Sequence, residues 1–284
     1  VTRAVILDGD SLARTIRARL AARVSVLRSA GVAPHFVTIL VGNNPASESY
    51  VARKHADCGE MDISSSAIRL EETVSADELE RHIASANAHA SVHGFLVQLP
   101  LPAHLDDNHF LARISPNKDI DGLHPENLGR LVQGTPFLLP CTPAGILAML
   151  QHYEVPLAGR KVTIVGRGPL VGRPLAMLLS MKGLDAVVTL AHSKTPDLPT
   201  LTADADIVIS AVGVPNLVRA DAIKPGAAVI GVGISYNANG EMVSDIADDV
   251  ANVAGWVTPR HGSVGALTRA MLFSNLLKLA EGAH

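Results

Sequence analysis

Apolar residues recur at helical spacing from Ser11 to Leu27, and Gly31 and Pro34 close that stretch, which predicts a first helix. "HFVTILVG", residues 35–42, is instead a continuous β-branched run ending in glycine, and it predicts a buried strand. Residues 45–59 return to helical spacing, with Ser47 as the expected cap and Gly59 as the stop. "SSSAIRL" predicts a second strand. "SADELERHIASANAH" predicts a helix opened by Ser75, with acidic residues in the first turns where the helix dipole favours them. "VHGFLVQLPLP", residues 92–102, predicts a third strand that runs into two prolines. Strand and helix alternating in this way imply a parallel sheet with crossover helices.

The stretch 114–129 is polar and rich in turn residues, and Pro140 and Pro143 are expected to delay the next long helix until about Ala144. This region is the expected hinge. Beyond it, residues 159–183 read as strand, glycine-rich turn and helix, and 185–194 as the next strand. "ADIVISAVGV" and "AAVIGVGI" are apolar throughout, as strands of a parallel sheet covered on both faces are. The last twenty residues predict an amphipathic helix that returns to the first domain. The fold class is therefore α/β in two domains, an N-terminal domain with a parallel sheet and a Rossmann-like one. The expected bounds are 1–139, completed by the helix 266–284, and 140–265.

Composition narrows the function classes. At 284 residues the chain can build two ordinary cores, and its net charge of −3 gives no basic footprint for nucleic acid. Cys58 and Cys141 make no disulfide framework, and the 12 histidines are scattered without metal-ligand spacing, so no metal is expected. The start reads as a short apolar run followed by a charged helix rather than a signal peptide, and no apolar stretch is long enough for a membrane span. A cytoplasmic, reducing setting is the expectation.

Five features carry candidate chemistry. Tyr50 and Lys54 lie four residues apart, on one helical face; alone, this also fits a surface helix with a solvated lysine. Gly166, Gly168 and Gly172 fall between a strand and a helix, where backbone N–H groups suit a pyrophosphate; an ordinary structural turn is the other reading. The strand after them ends in His192, Ser193 and Lys194 with no carboxylate, and Arg167 sits in the glycine turn, which favours NADP over NAD. Gln98, at the carboxyl end of a strand, would be costly to bury unpaired. Asp119 and Asp121 precede a glycine, where aspartates commonly only form turns.

Together the ordered motifs resemble a known family. Tyr50-x-x-x-Lys54, then "VQLPLP", "KDIDG", "PCTPAG" and "VGRGPLVGRP" look like the bifunctional methylenetetrahydrofolate dehydrogenase/methenyltetrahydrofolate cyclohydrolases over nearly the whole chain. Short-chain dehydrogenases also carry Y-x-x-x-K, but after the nucleotide fold, whereas here it comes more than a hundred residues before the glycine turn. The resemblance implies Lys54 as the acid/base group, Tyr50 stacked on the folate, Gln98 holding the lysine and Asp121 bonding the pterin. Leu99, Pro100, Gly262 and Val264 are the further substrate contacts it implies. For the cofactor it implies Thr142, Gly145, Gly166, Arg167, Gly168, Val171, Gly172, Ser193 and Ile234, with Arg167 and Ser193 on the 2′-phosphate. It further implies a folate-binding catalytic domain before an NADP-binding one, a cleft between them, tetrahydrofolate derivatives as partners and a homodimer through the nucleotide domain.

Several positions depart from the family. His261-Gly262-Ser263-Val264-Gly265-Ala266 stands in place of P-G-G-V-G-P, Gly231 in place of a usual aspartate, and Gly168 in place of a common serine. These keep open a divergent paralogue with one activity lost or a modified folate or cyclic iminium substrate. A single-activity dehydrogenase and a non-catalytic folate or NADP sensor are the readings from other classes.

Overall fold

The computed structural model describes residues 4–236, 239–260 and 264–282. The first elements are β1 (Val5–Ile6), α1 (Gly9–Ser29), β2 (His35–Val41), α2 (Pro45–Glu60), β3 (Ser64–Leu70), α3 (Ala76–Ala88) and β4 (Gly94–Val97). Three helices follow, α4 (Asp107–Leu111), α5 (Pro125–Val132) and α6 (Cys141–His152). Next come β5 (Lys161–Val165), α7 (Gly172–Leu179), β6 (Val187–Ala191), α8 (Leu198–Ala203), β7 (Ile207–Ser210) and β8 (Ala228–Gly231). The chain closes with β9 (Ile234–Tyr236), β10 (Met242–Ser244), β11 (Trp256–Val257) and α9 (Val264–Glu281).

Two compact units divide the described chain. The front unit holds Arg14–Arg130, Pro136–Cys141 and the residues from Arg269 onward; the back unit holds the residues up to Ala13, Leu131–Thr135 and Thr142–Thr268.

In the front unit the sheet order is β3-β2-β4, and both pairings are parallel, as the alternation predicts. Successive residues of β2 point to opposite faces. Phe36 joins Leu20, Val24 and Leu27 of α1 and Phe273 and Leu276 of α9 on one side. Val37 and Ile39 join Leu79 and Ile83 of α3 and Phe110 of α4 on the other. A central strand covered on both faces needs an unbroken apolar run, which is what "HFVTILV" supplies. Beyond β4, a parallel bridge between Phe95 and Asp119 lays the 119–121 backbone along the sheet.

Three local expectations change. The cap of α2 is Asn44, not Ser47: its side chain accepts from the N–H groups of Ala46 and Ser47, and Pro45 fills the first turn. Helix α6 begins at Cys141 rather than Ala144, because Pro143 lies in the first turn, where its missing N–H would have had no partner. Helix α9 is not amphipathic. Only Lys278 and Glu281 are exposed along it, so hydrophobic residues surround it instead of forming one stripe.

The back unit is a six-stranded parallel sheet in the order β1-β11-β8-β7-β5-β6. Its edge strand β1 comes from the start of the chain, pairing Val5 with Trp256, whereas residues 1–139 were expected together. The order reverses at β5, whose neighbours are β6 and β7, and the carboxyl end of the strands at such a reversal is where open α/β sheets place their ligand sites. Among the described residues no helix is long and apolar enough to cross a membrane.

Candidate active site

Helix α2 carries the first cluster. Tyr50, Lys54 and Asp57 are spaced four and three residues apart and so share a face. Lys54 is only 3% exposed, which removes the solvated-lysine reading. Its Nζ donates to Gln98 Oε1 at 3.0 Å and lies 4.6 Å from the centre of the Tyr50 ring, a cation–π distance. Gln98 follows the last residue of β4. Its own N–H continues the ladder to the carbonyl of Ile39 at 2.8 Å, and its Nε2 donates to the Leu99 carbonyl at 2.7 Å. That second bond turns Oε1 toward the amine. Leu99 is half-buried and Pro100 exposed.

The "KDIDG" loop separates its two aspartates by role. Asp119 accepts from the N–H of Gly122 and of His124 and from Asn127 Nδ2, so it is the turn-forming one. Asp121 instead acts electrostatically on Lys54 and Tyr50. Burial lowers the Lys54 amine below its usual value; Asp121 pulls it back up, and Arg269 pushes it lower still. Burial raises the Asp121 carboxyl, against the opposing pull of Lys54. Cys141 is raised well above the ordinary thiol value by burial first and Asp121 second, so it stays an uncharged thiol at neutral pH. A water-poor amine with weakened proton affinity, oriented by an amide and an aromatic ring, is equipped to take up and return a proton.

Two further groups join this cluster without having been anticipated. Arg269 Nε donates to Asp57 Oδ2 at 2.6 Å, and Arg17 lies 3.8 Å from the same carboxylate. Asn275 Nδ2 donates to the carbonyls of Ile120 and Leu139, each at 2.9 Å, tying α9 to the segment that carries Asp121. Asp57 was visible as the third residue after Lys54; its partner, 212 residues away, had no local signal.

In the back unit the glycine turn is backbone-tight. Gly166 has φ +115°, and a Cβ there would lie 2.7 Å from the Ala211 carbonyl oxygen. A Cβ on Gly172, the first residue of α7, would lie 2.0 Å from the Gly166 oxygen. Gly168 borders open space, Arg167 is exposed beside it, and Val171 immediately precedes the helix. Ser193 and Lys194 are exposed just past β6, and Ile234, 53% exposed, opens β9. The Thr142 hydroxyl lies 3.0 Å from that of Thr268; the latter donates to the Val264 carbonyl, so Thr142 is the donor. A Cβ on Gly145 would meet Leu267 at 3.0 Å, which accounts for the glycine by packing. Val264 is buried; Gly262, with His261 and Ser263, lies outside the described residues.

Asp245 lies at the same edge of the sheet. It is fully buried, and its Oδ2 accepts from Ser210 Oγ at 2.8 Å and Val212 N at 3.0 Å. A Cβ on Gly231 would come 2.6 Å from Ser244 Oγ and 2.9 Å from Ile246, so a larger residue there requires those side chains to shift.

Comparison with known proteins agrees with this layout. The catalytic domain of tetrahydrofolate dehydrogenase/cyclohydrolase matches residues 7–121, and the NAD(P)-binding domain of the same enzymes matches residues 140–284. The bifunctional methylenetetrahydrofolate dehydrogenase/cyclohydrolase of Campylobacter jejuni is 40% identical, with a TM-score of 0.95 over 98% of this chain and 99% of that one. The Trypanosoma brucei methylenetetrahydrofolate dehydrogenase-cyclohydrolase, complexed with NADP cofactor and inhibitor, is 36% identical, with a TM-score of 0.94 over 99% of each chain. A methylenetetrahydrofolate dehydrogenase from the silkworm Bombyx mori is 35% identical, with a TM-score of 0.92 over 98% of each. With both domain matches covering most of its length, the chain belongs to the tetrahydrofolate dehydrogenase/cyclohydrolase family.

Proposed function

We propose that the chain oxidises 5,10-methylenetetrahydrofolate to 5,10-methenyltetrahydrofolate with NADP and hydrolyses the product to 10-formyltetrahydrofolate. The observation that carries this reading is the buried amine of Lys54 held by Gln98 beside the ring of Tyr50. It rests also on the family matches and on the Trypanosoma relative's complex with NADP.

The first half-reaction needs the substrate held with its bridging carbon open to the cofactor. Tyr50 supplies a ring face for the folate, Asp121 an acceptor for pterin N–H groups, and Leu99, Pro100, Gly262 and Val264 further contacts. NADP, when bound, accepts the hydride removed from that carbon. Its pyrophosphate fits the tight turn of Gly166, Gly168, Val171 and Gly172, where a Cβ on Gly166 or Gly172 would collide with backbone. Arg167 and Ser193 would hold the 2′-phosphate, and Thr142, Gly145 and Ile234 the nicotinamide end.

The second half-reaction adds water to the methenyl carbon. Neutral Lys54 takes a proton from the attacking water as the C–O bond forms. The resulting ammonium gives a proton to N5 as the C–N5 bond breaks, and the remaining hydroxyl proton passes to the again neutral amine and on to bulk water as the formyl group forms on N10. Gln98 keeps the amine aimed throughout. We further assign the chain a cytoplasmic role in one-carbon metabolism, supplying formyl groups for purine biosynthesis as a homodimer through the nucleotide domain, without nucleic-acid partners. The two units correspond to a folate-binding catalytic domain and an NADP-binding domain.

A spectroscopic assay of methylenetetrahydrofolate with NADP or NAD, on wild type and Lys54→Met, tests the reading. Loss of hydration with partial survival of hydride transfer is the expected result; hydrolysis undiminished in Lys54→Met would refute the assignment. The close packing at Gly231, where the family's usual aspartate would require Ser244 and Ile246 to shift, favours one second reading, a paralogue whose two activities are rebalanced.

A further inference from the structure

Lys54 is surrounded by more charge than its reaction partners explain. From its own helix come Tyr50, His55 and Asp57; from the 119–121 segment Asp121, with Asp119 behind it; from the start of α6 the uncharged thiol of Cys141. Helix α1 brings Arg17, paired with Asp57 at 3.8 Å and with Glu60 at 3.4 Å, and α9 brings Arg269. Gln98, the group directly bonded to the amine, is neutral.

Arg269 is 13% exposed and Asp57 7%, with a 2.6 Å bond between them, so the guanidinium is fixed rather than swinging in solvent. Asp57 sits one turn beyond Lys54 on the same face of α2, and so anchors the cation at the lysine's side. The field of Arg269 reaches both Lys54 and Tyr50. Asp121 acts in the opposite sense on the same amine.

From this geometry we infer that Arg269, held by Asp57 on the face of α2 that carries Lys54, is a positioning residue that adds to burial in disfavouring a second cation at the amine and offsets part of the pull of Asp121. The inference rests on the reaction proposed above, in which neutral Lys54 takes a proton from water. A fixed cation makes protonation of a neighbouring amine less favourable, so removing it moves the acid limb of the hydrolysis rate to higher pH.

The test measures kcat for methenyltetrahydrofolate hydrolysis against pH in the full-length protein. Arg269→Gln removes the charge, and Arg269→Lys keeps it. Asp57→Asn with Arg269→Gln removes both charges as a hydrogen-bonded neutral pair, which protects folding if the single neutral variant is unstable. The acid limb is expected to move up by about 0.5–1 pH unit in Arg269→Gln, by less in the neutral pair, where loss of the Asp57 anion offsets part of the effect, and to stay in place in Arg269→Lys. A role in stability alone would lower the melting temperature of any of the three without moving the limb. A limb that stays fixed in Arg269→Gln, or moves down in the folded neutral pair, or moves equally in Arg269→Lys, overturns the inference. Wild type without any hydrolysis would instead overturn the proposed reaction.

Discussion

Lysine is among the residues least often buried, so an amine with 3% exposure has to be held by specific partners. Gln98 is one whose neutrality matters as much as its bond. In Gln98→Glu a carboxylate would face Nζ across the same 3.0 Å, favouring the ammonium that cannot accept a proton. Hydrolysis should fall by roughly 10–100-fold at neutral pH and recover as pH rises, while hydride transfer suffers less. A pH–rate profile for each half-reaction checks this; equal loss at all pH values would point to misfolding or lost substrate contact. A second residue-scale case is Gly231. Placing the family's usual aspartate there drives its Cβ to 2.6 Å from Ser244 Oγ, an overpacking expected to cost about 1–3 kcal/mol. Urea unfolding should show that loss in Gly231→Asp and partial recovery when Ser244→Gly is added. No recovery would mean that Ile246, not Ser244, sets the limit.

Helix α2 delivers Tyr50 and Lys54, so its first turn bears directly on the site. Asn44 accepts from two N–H groups that would otherwise be unpaired, at 3.0 and 3.2 Å. Asn44→Ala should cost about 1 kcal/mol, and Asn44→Asp much less, since aspartate caps equally well. Thermal unfolding of the two variants decides it, and an Asp variant as unstable as the Ala variant would exclude the cap as the cause. Elements with a long period were legible in the sequence: α1 and α3 show enough repeats to establish a spacing of 3.6, and β2 was legible as an unbroken β-branched run closed by glycine. Strands β1 and β11, two residues each, have no period to read and exist only through pairing with each other and β8. Helices α4 and α5 lay hidden in turn-rich composition, and α6 was shortened by giving Pro143 its mid-helix meaning rather than its first-turn one. At the site, Tyr50, Lys54 and Gln98 were readable as local motifs. The choice of Asp121 over Asp119 came from the family resemblance alone, because locally both suit a turn and tertiary packing sets their roles apart. The Asp57–Arg269 pair was illegible for the same reason, since nothing local connects α2 to α9.

At the scale of the whole molecule the buried groups combine into one pH response. Lys54 and Lys118 are lowered by burial from 10.5, so between their folded values and 10.5 the unfolded chain holds the extra proton and stability rises with pH. His35 and His55, lowered from 6.5 mainly by burial, act in the same sense at the acid end of the range. The buried acids reverse the sign. Cys58 is raised from 9.0 to about 12, Cys141 is raised well above 9.0, and Tyr50 is raised from 10.0, in each case chiefly by burial. Above 9.0 the unfolded chain loses thiol protons that the folded chain keeps, and stability falls as pH rises. Exposed Glu80 and Asp197, lowered by their hydrogen bonds, stay ionised throughout and contribute no slope here. The melting temperature should therefore climb with pH until the unfolded chain's thiols begin to ionise near 9.0 and then decline, each fully coupled group adding a slope of up to ~1.4 kcal/mol per pH unit. Lys54→Met should flatten the climb and steepen the first part of the alkaline decline, below 10.5, whereas Cys58→Ala should make that decline shallower. Thermal unfolding at stepped pH on the three proteins is the measurement. A climb as steep in Lys54→Met as in wild type would mean that the amine stays charged when folded, and a lysine already carrying its proton could not serve as the base that hydrolysis requires.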